Sequence, residues 1–150
     1  MTLYNLQTAL MQEMERLFSD ESFLTEGGGY VPMHVYRQSV PLPNGGESVT
    51  EYVPNTVVKI RGGTVGQEST ADVQLVFLVY DNRSTRNGHD TILHLFSKVL
   101  LRFCDNAYLG NFEILKMEYA LPDEDFFPYF FGAMEIQIKM PKPSRKDEFC

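Results

Sequence analysis

Tryptophan is absent, and cysteine occurs only twice in 150 residues, at Cys104 and at the C-terminal Cys150. Two such positions supply neither a disulfide framework nor the paired Cys-x-x-Cys spacing of a zinc site, so a reduced, intracellular setting is expected. No run approaches the ~20 consecutive apolar residues of a membrane span. Glu13 and Glu15 stand where a signal peptide would keep its apolar core, and no basic cluster opens the chain. No contact with a membrane is expected, and the place of synthesis is expected to be the cytoplasm. Cations are also in short supply: 13 Lys and Arg face 20 Asp and Glu, a net charge of −7. The few cations are scattered, and phosphate binding draws its affinity from clustered ones, so a grip on nucleic acid is disfavoured. An acidic surface suits protein partners, or a channel wall that must not hold DNA.

What remains is ordinary globular material. The 43% hydrophobic and 22% charged fractions exclude disorder over most of the length. One domain over 1–140 is expected, with a polar, frayed tail at 141–150.

Leu3, Leu6, Leu10, Met14 and Leu17 recur in steps of three and four, which predicts an amphipathic helix from Thr2 to Phe18. Thr2 is its candidate N-cap, and Gln7, Gln12, Glu13 and Arg16 fall mostly on the outer side. The segment 27–52 is irregular. Gly27-Gly28-Gly29 reads as a flexible joint, and Pro41-Leu42-Pro43-Asn44-Gly45-Gly46 is dense in turn formers. Between them Tyr30 to Val40 reads as an extended arm or edge strand, and the whole as an interaction arm or extended hairpin.

Thr56 to Arg61 is short and β-branched and reads as a strand. Ala71 to Asp81 is the clearest strand. Val73, Leu75, Phe77 and Val79 line one face, and Val76, Leu78 and Tyr80 line the other. A strand apolar on both faces belongs at the centre of a sheet, covered on each side. A helix follows from His89 or Asp90 to Asp105, with Ile92, Leu95, Phe96, Val99, Leu100 and Phe103 on one face. Asp90 and Arg102 sit at the ends where the helix dipole favours them. Phe112 to Leu121 alternates with Leu115, Met117, Tyr119 and Leu121 inward, and Gly132 to Met140 alternates with Met134, Ile136, Ile138 and Met140. The expected fold is α+β: a two-layer sandwich of about four mainly antiparallel strands, with two helices on one face and the extra arm.

Candidate chemistry is sparse. His89, Asp90 and His94 open the second helix, but the histidines are five apart rather than at the i, i+4 spacing of a metal-binding face. His34 has no partner that the sequence can name. Asp123-Glu124-Asp125 lacks the alternating ligands and central glycine of a calcium loop. The glycine runs lack the Lys-Ser/Thr of a phosphate loop. No Ser stands in G-x-S-x-G, and Cys104 falls in an apolar helical pattern, where a buried thiol is inert. No catalytic, cofactor or metal residue is therefore assigned. The run Phe126, Phe127, Tyr129, Phe130 and Phe131 admits two readings: a lid folded on the core, or a contact surface of the kind interfaces enrich.

The order of motifs through the second half resembles a known family. The residues are Val57-Val58-Lys59-Ile60, the strand ending Val79-Tyr80-Asp81, the helix start His89-Asp90-Thr91-Ile92-Leu93-His94-Leu95, and Leu109-Gly110-Asn111-Phe112-Glu113. They continue through Leu121-Pro122-Asp123-Glu124-Asp125 to Phe127-Pro128-Tyr129-Phe130-Phe131-Gly132-Ala133-Met134. Over roughly 55–140 the chain is similar to the tail terminator proteins of long-tailed bacteriophages and prophages, also called tail completion or head–tail joining proteins. The segment 27–52 is longer than that pattern expects.

The resemblance implies a structural virion subunit and no enzyme or cofactor. It implies a ring, usually hexameric, that caps the tail tube, meets tail-tube and head-connector proteins, and lets DNA pass without specific binding. Candidate subunit-interface residues are Val76, Leu78, Tyr80, Arg83, Arg86, Phe126, Phe127, Tyr129 and Phe130. Two other classes stay open: a nucleic-acid-binding α+β domain that stacks bases on its sheet, and a small enzyme using His89, His94 and Asp123.

Overall fold

The chain opens on a capped helix, α1 (Leu3–Leu17). The Thr2 hydroxyl accepts the Asn5 N–H at 3.1 Å, while Asn5 Oδ1 accepts the Thr2 N–H at 3.0 Å. Two donors that the first turn would leave unpaired are thus satisfied reciprocally. Leu6, Leu10, Met14 and Phe18 are buried at 0–1% exposure. Gln7, expected on the outer side, is buried as well. Its amide donates to the Val58 carbonyl at 2.7 Å, and Arg37 donates to its oxygen at 3.0 Å. A polar side chain on the inner face is tolerated because its groups are paired.

The computed structural model describes residues 2–39, 53–83, 88–123 and 126–141. After α1 come β1 (Phe23–Leu24) and β2 (Tyr30–Val31), an antiparallel pair. The glycine run expected to be a joint is their turn: Gly28 takes φ +92° and its N–H bonds the Thr25 carbonyl at 2.9 Å. Such a φ favours glycine. Next are β3 (His34–Arg37), β4 (Asn55–Thr64), β5 (Thr70–Tyr80) and helix α2 (Gly88–Asp105). The chain then forms β6 (Tyr108–Leu109), β7 (Phe112–Ala120) and β8 (Tyr129–Lys139). The Pro41–Gly46 turn cluster, Arg86, Glu124, Asp125 and the expected tail from 142 lie outside the described residues.

One six-stranded sheet runs β3-β4-β5-β8-β7-β6, antiparallel throughout except for the parallel β3–β4 pair. The class is α+β with two helices, as the periodicities indicate. The strand number is larger than the four expected, because β3 and β6 join the edges of the sheet and β1–β2 form a pair of their own. Both helices pack into a single core with Val58, Val73, Leu75, Phe77, Met134 and Ile136. Phe77 sits between the rings of Phe18 and Phe96, at 6.0 and 5.8 Å.

Two local features depart from simple alternation. A β-bulge between Ile114 and Lys116 shifts the phase of β7. Phe112 and Ile114 are therefore buried, Leu115 is 43% exposed, and inward spacing resumes only at Met117. On β8, Gly132 lies beneath α2, and a Cβ there would stand 2.6 Å from the Phe96 ring and 2.7 Å from Ile92. The missing side chain is what allows the helix to approach that strand.

Candidate functional site

Strand pairing decides which side chains share the face of the sheet that neither helix covers. Leu78 lies opposite Asn55 and Phe131, Val76 opposite Val57 and Ala133, and Tyr80 opposite Tyr129. Successive side chains on a strand alternate between faces. The uncovered face of β5 therefore carries Gln74, Val76, Leu78 and Tyr80, while Val73, Leu75, Phe77 and Val79 enter the core.

This face has two halves. At the end near Pro128 it forms an apolar groove of about 840 Å³ whose lining includes Val57, Val76, Leu78, Phe126, Phe127 and Phe131. Phe126 is 47% and Phe127 40% exposed, far more than the ring of a core residue would be. The Phe126 and Phe131 rings meet at 5.2 Å, and Tyr80 meets Tyr129 edge-on at 5.4 Å. Among the described residues, Lys59 is the one cationic side chain in the lining. Burial, with Glu26 close by, raises the Tyr129 hydroxyl above its ordinary pKa.

The other half is charged, with Arg61 and Lys116 beside Asp72, Glu118 and Glu135. Arg61 pairs with Glu135 at 3.0 Å, Gln74 donates to the same carboxylate at 2.8 Å, and Lys116 pairs with Glu118 at 2.7 Å. The Glu118 hydrogen bond raises the Lys116 pKa.

Of the residues singled out as an interface, Val76 and Leu78 are half-buried on the open face, and Phe126, Phe127 and Tyr129 border it. Tyr80 shares the face but is only 9% exposed, enclosed at the sheet end beside Tyr129. Phe130 does not belong to this surface. It is 2% exposed, points toward α2, and packs edge-on against His89 at 4.7 Å. The aromatic run is thus not one loop: Tyr129, Phe130 and Phe131 begin β8, and strand alternation sends Phe130 inward while its neighbours turn outward. Phe130 thus folds onto the core, while Phe126 and Phe127 are the exposed members of the run. Arg83 is bound within its own chain, clasping the buried Asp81 carboxylate at 2.7 and 2.9 Å. That hydrogen bonding holds Asp81 below the usual carboxylate range and raises Arg83. Val57 and Phe131 complete the groove. The period-two pattern contains both, but only the β4–β5–β8 register brings them together.

The candidate catalytic groups do not converge. His94 pairs with Glu21 at 2.7 Å, and Lys98 joins Glu21 and Asp20 at 2.7 and 3.1 Å, which ties α2 to the chain after α1. Burial works against the charge on Lys98, but the hydrogen bonds of Glu21 and Asp20 prevail and raise its pKa. His89 instead lies on Phe130. His34 neighbours Tyr36 at 6.2 Å, and Asp123 is exposed before β8. Cys104, expected to be buried, is an exposed free thiol, because it falls on the outer side of α2. Among the described residues, no three His, Cys, Asp or Glu side chains gather as a metal ion would require. Among the same residues, no helix is long and apolar enough to cross a membrane. No protein-family model matches the chain, and no curated protein is similar to it in sequence.

Proposed function

We propose that this chain is a structural subunit of a bacteriophage or prophage tail, working as a ring that terminates the tail tube and joins it to the head. The observation that carries the reading is the apolar groove on the open face of the sheet. Among the described residues, neither helix covers the face that carries the half-buried Val76 and Leu78 and the exposed Phe126, and exposed apolar patches of this kind mark association surfaces. The resemblance of residues 55–140 to tail terminator proteins supplies the ring, six-membered in that family, and its tail-tube and head-connector partners. The net charge of −7 suits a lumen through which DNA slides without being held. On this reading the chain catalyses nothing and works in the virion, after assembly in the host cytoplasm.

A base-stacking role for the same face finds less support. Two of its cations, Arg61 and Lys116, are already paired with carboxylates, so phosphate would have to displace Glu135 and Glu118 there, and Lys59 alone is no cluster.

The test is electron microscopy and sedimentation of the purified chain, alone and mixed with tail tubes. Rings of a few subunits with an open bore are expected, and Leu78→Asp should abolish them. A chain that stays monomeric in both settings counts against the proposal.

A further inference from the structure

On one side the sheet ends at the two-residue β6, which covers only the start of β7. β6 pairs with Phe112 and Glu113, and the Ile114 N–H donates to the Ala107 carbonyl at 2.7 Å. Past that point, among the described residues, no strand pairs with the outer edge of β7 from Leu115 to Ala120. These residues are exposed, except for the half-buried Met117. An open edge presents a row of N–H and C=O groups that a further strand can meet. At the other end of the sheet, β3 has only four residues, each of them half-buried. The uncovered stretch of β7 reads Leu115-Lys116-Met117-Glu118-Tyr119, with opposite charges on either side of Met117. Lys116 and Glu118 share the open face with Gln137 and Glu135, while Met117 and Tyr119 lie on the helix side with Ile136 and Met134.

We infer that β7 of one copy pairs antiparallel with β7 of a second copy about a two-fold axis through Met117, joining the two sheets edge to edge. In that register Lys116 of each copy faces Glu118 of the other, on the open face. On the helix side, Leu115 and Tyr119, 43% and 59% exposed, fall opposite one another. Such cross-strand pairs, charged and apolar, are what stabilises a ladder. Opposite residues must share a face, so the axis passes through a residue and not between two. Centred one residue earlier, Lys116 would face its own copy, and one residue later Glu118 would. Like charges directly opposite are destabilising, so charge selects Met117. Charges on an edge ordinarily keep other strands away. Here the opposite signs two residues apart repel the neighbouring registers and favour this one. β6 stops the incoming strand at Ile114, which leaves a ladder from Leu115 to Tyr119. The contact is isologous and closes at two copies. It uses none of Val76, Leu78 and Phe126, so it neither needs nor excludes the ring proposed above.

Single cysteines in a Cys104→Ser, Cys150→Ser background test the axis by oxidation at high protein concentration. In Met117→Cys the two thiols lie on strands whose facing Cα atoms are about 4.5–5.5 Å apart, within disulfide reach. Lys116→Cys or Glu118→Cys alone places like positions roughly 8 Å apart, out of reach, whereas a mixture of the two brings unlike positions opposite. Covalent dimer is expected from Met117→Cys and from the mixture, and little from either of the other chains alone. The mixture keeps the test valid if Met117→Cys unfolds the chain. Charge reversal, read by sedimentation, is the second arm. The Lys116 and Glu118 side chains are 66% and 60% exposed, so reversing either leaves the fold intact. Lys116→Glu and Glu118→Lys should each lose the dimer, and mixing the two chains, or combining both changes in one chain, should restore it. Dimers indifferent to these charges, or equal cross-linking at all three positions, overturn the pairing. A chain monomeric at every concentration overturns it as well, and rings on tail tubes would then still support the ring reading. Dimers that never become rings, alone or with tail tubes, overturn the ring reading alone.

Discussion

Truncating Phe77 and truncating Leu78 should give opposite results, although the two are adjacent on β5. Phe77 is 0% exposed and packed edge-on between Phe18 and Phe96. Removing a core phenylalanine costs about 3–5 kcal/mol, because the lost transfer energy is joined by the cavity left behind. A domain of ordinary stability holds only about 5–15 kcal/mol, so Phe77→Ala removes about a fifth of it or more. At about 2–4 °C per kcal/mol, the melting temperature should fall by roughly 10 °C. Leu78 is half-buried on a face open to solvent. No cavity forms where water can enter, and roughly half the transfer energy of a leucine is at stake, about 1 kcal/mol. Urea unfolding at low concentration, followed by circular dichroism, measures both effects. Sedimentation at high concentration should then show that Leu78→Ala weakens self-association. Equal destabilisation by the two substitutions would refute the reasoning, since Leu78 would then be packed within a single molecule.

Other perturbations test the fold around the site. Gly132→Ala places a methyl against Phe96 and Ile92, and overpacking of this kind should lower stability by about 1–3 kcal/mol in urea titrations. For Asp81→Asn the pH dependence is the readout. The Arg83 hydrogen bonds depress the carboxyl pKa, so its stabilisation is complete above the unfolded value near 4 and disappears as pH falls through the folded one. Wild type should exceed the variant by about 1 kcal/mol at neutral pH, a modest figure because Arg83 is half in solvent, and unfolding curves should converge on acidification. Cys104 should react with a thiol reagent in the native state about as fast as in urea, since its side chain is exposed.

The sequence patterns that proved legible are those that repeat. Steps of three and four marked α1 and α2, and the two-sided apolar pattern of β5 marked a central strand, which β4 and β8 do flank. Elements of two residues, such as β1, β2 and β6, have no periodicity to show. The bulge after Ile114 changed which residues of β7 face inward, and one inserted residue in a ladder leaves no trace in composition. Pro128 made the aromatic run look like a loop, so β8 begins three residues earlier than Gly132 and Phe130 turns into the core. Cys104 was misplaced because an apolar neighbourhood in sequence says nothing about the side of the helix a residue occupies. The groove was half legible: Val76 and Leu78 stood out as apolar residues without a cover, but Val57 and Phe131 join them only through long-range register.

The claim underlying the account is that a second molecule covers the open face. Hydroxyl-radical footprinting over a range of protein concentrations tests it directly, with Tyr4, 65% exposed on α1, as the reference. The account predicts that oxidation of Phe126, Phe127 and Leu78 falls as concentration rises while that of Tyr4 stays constant. Oxidation of all four that is independent of concentration, with and without tail tubes present, would contradict it.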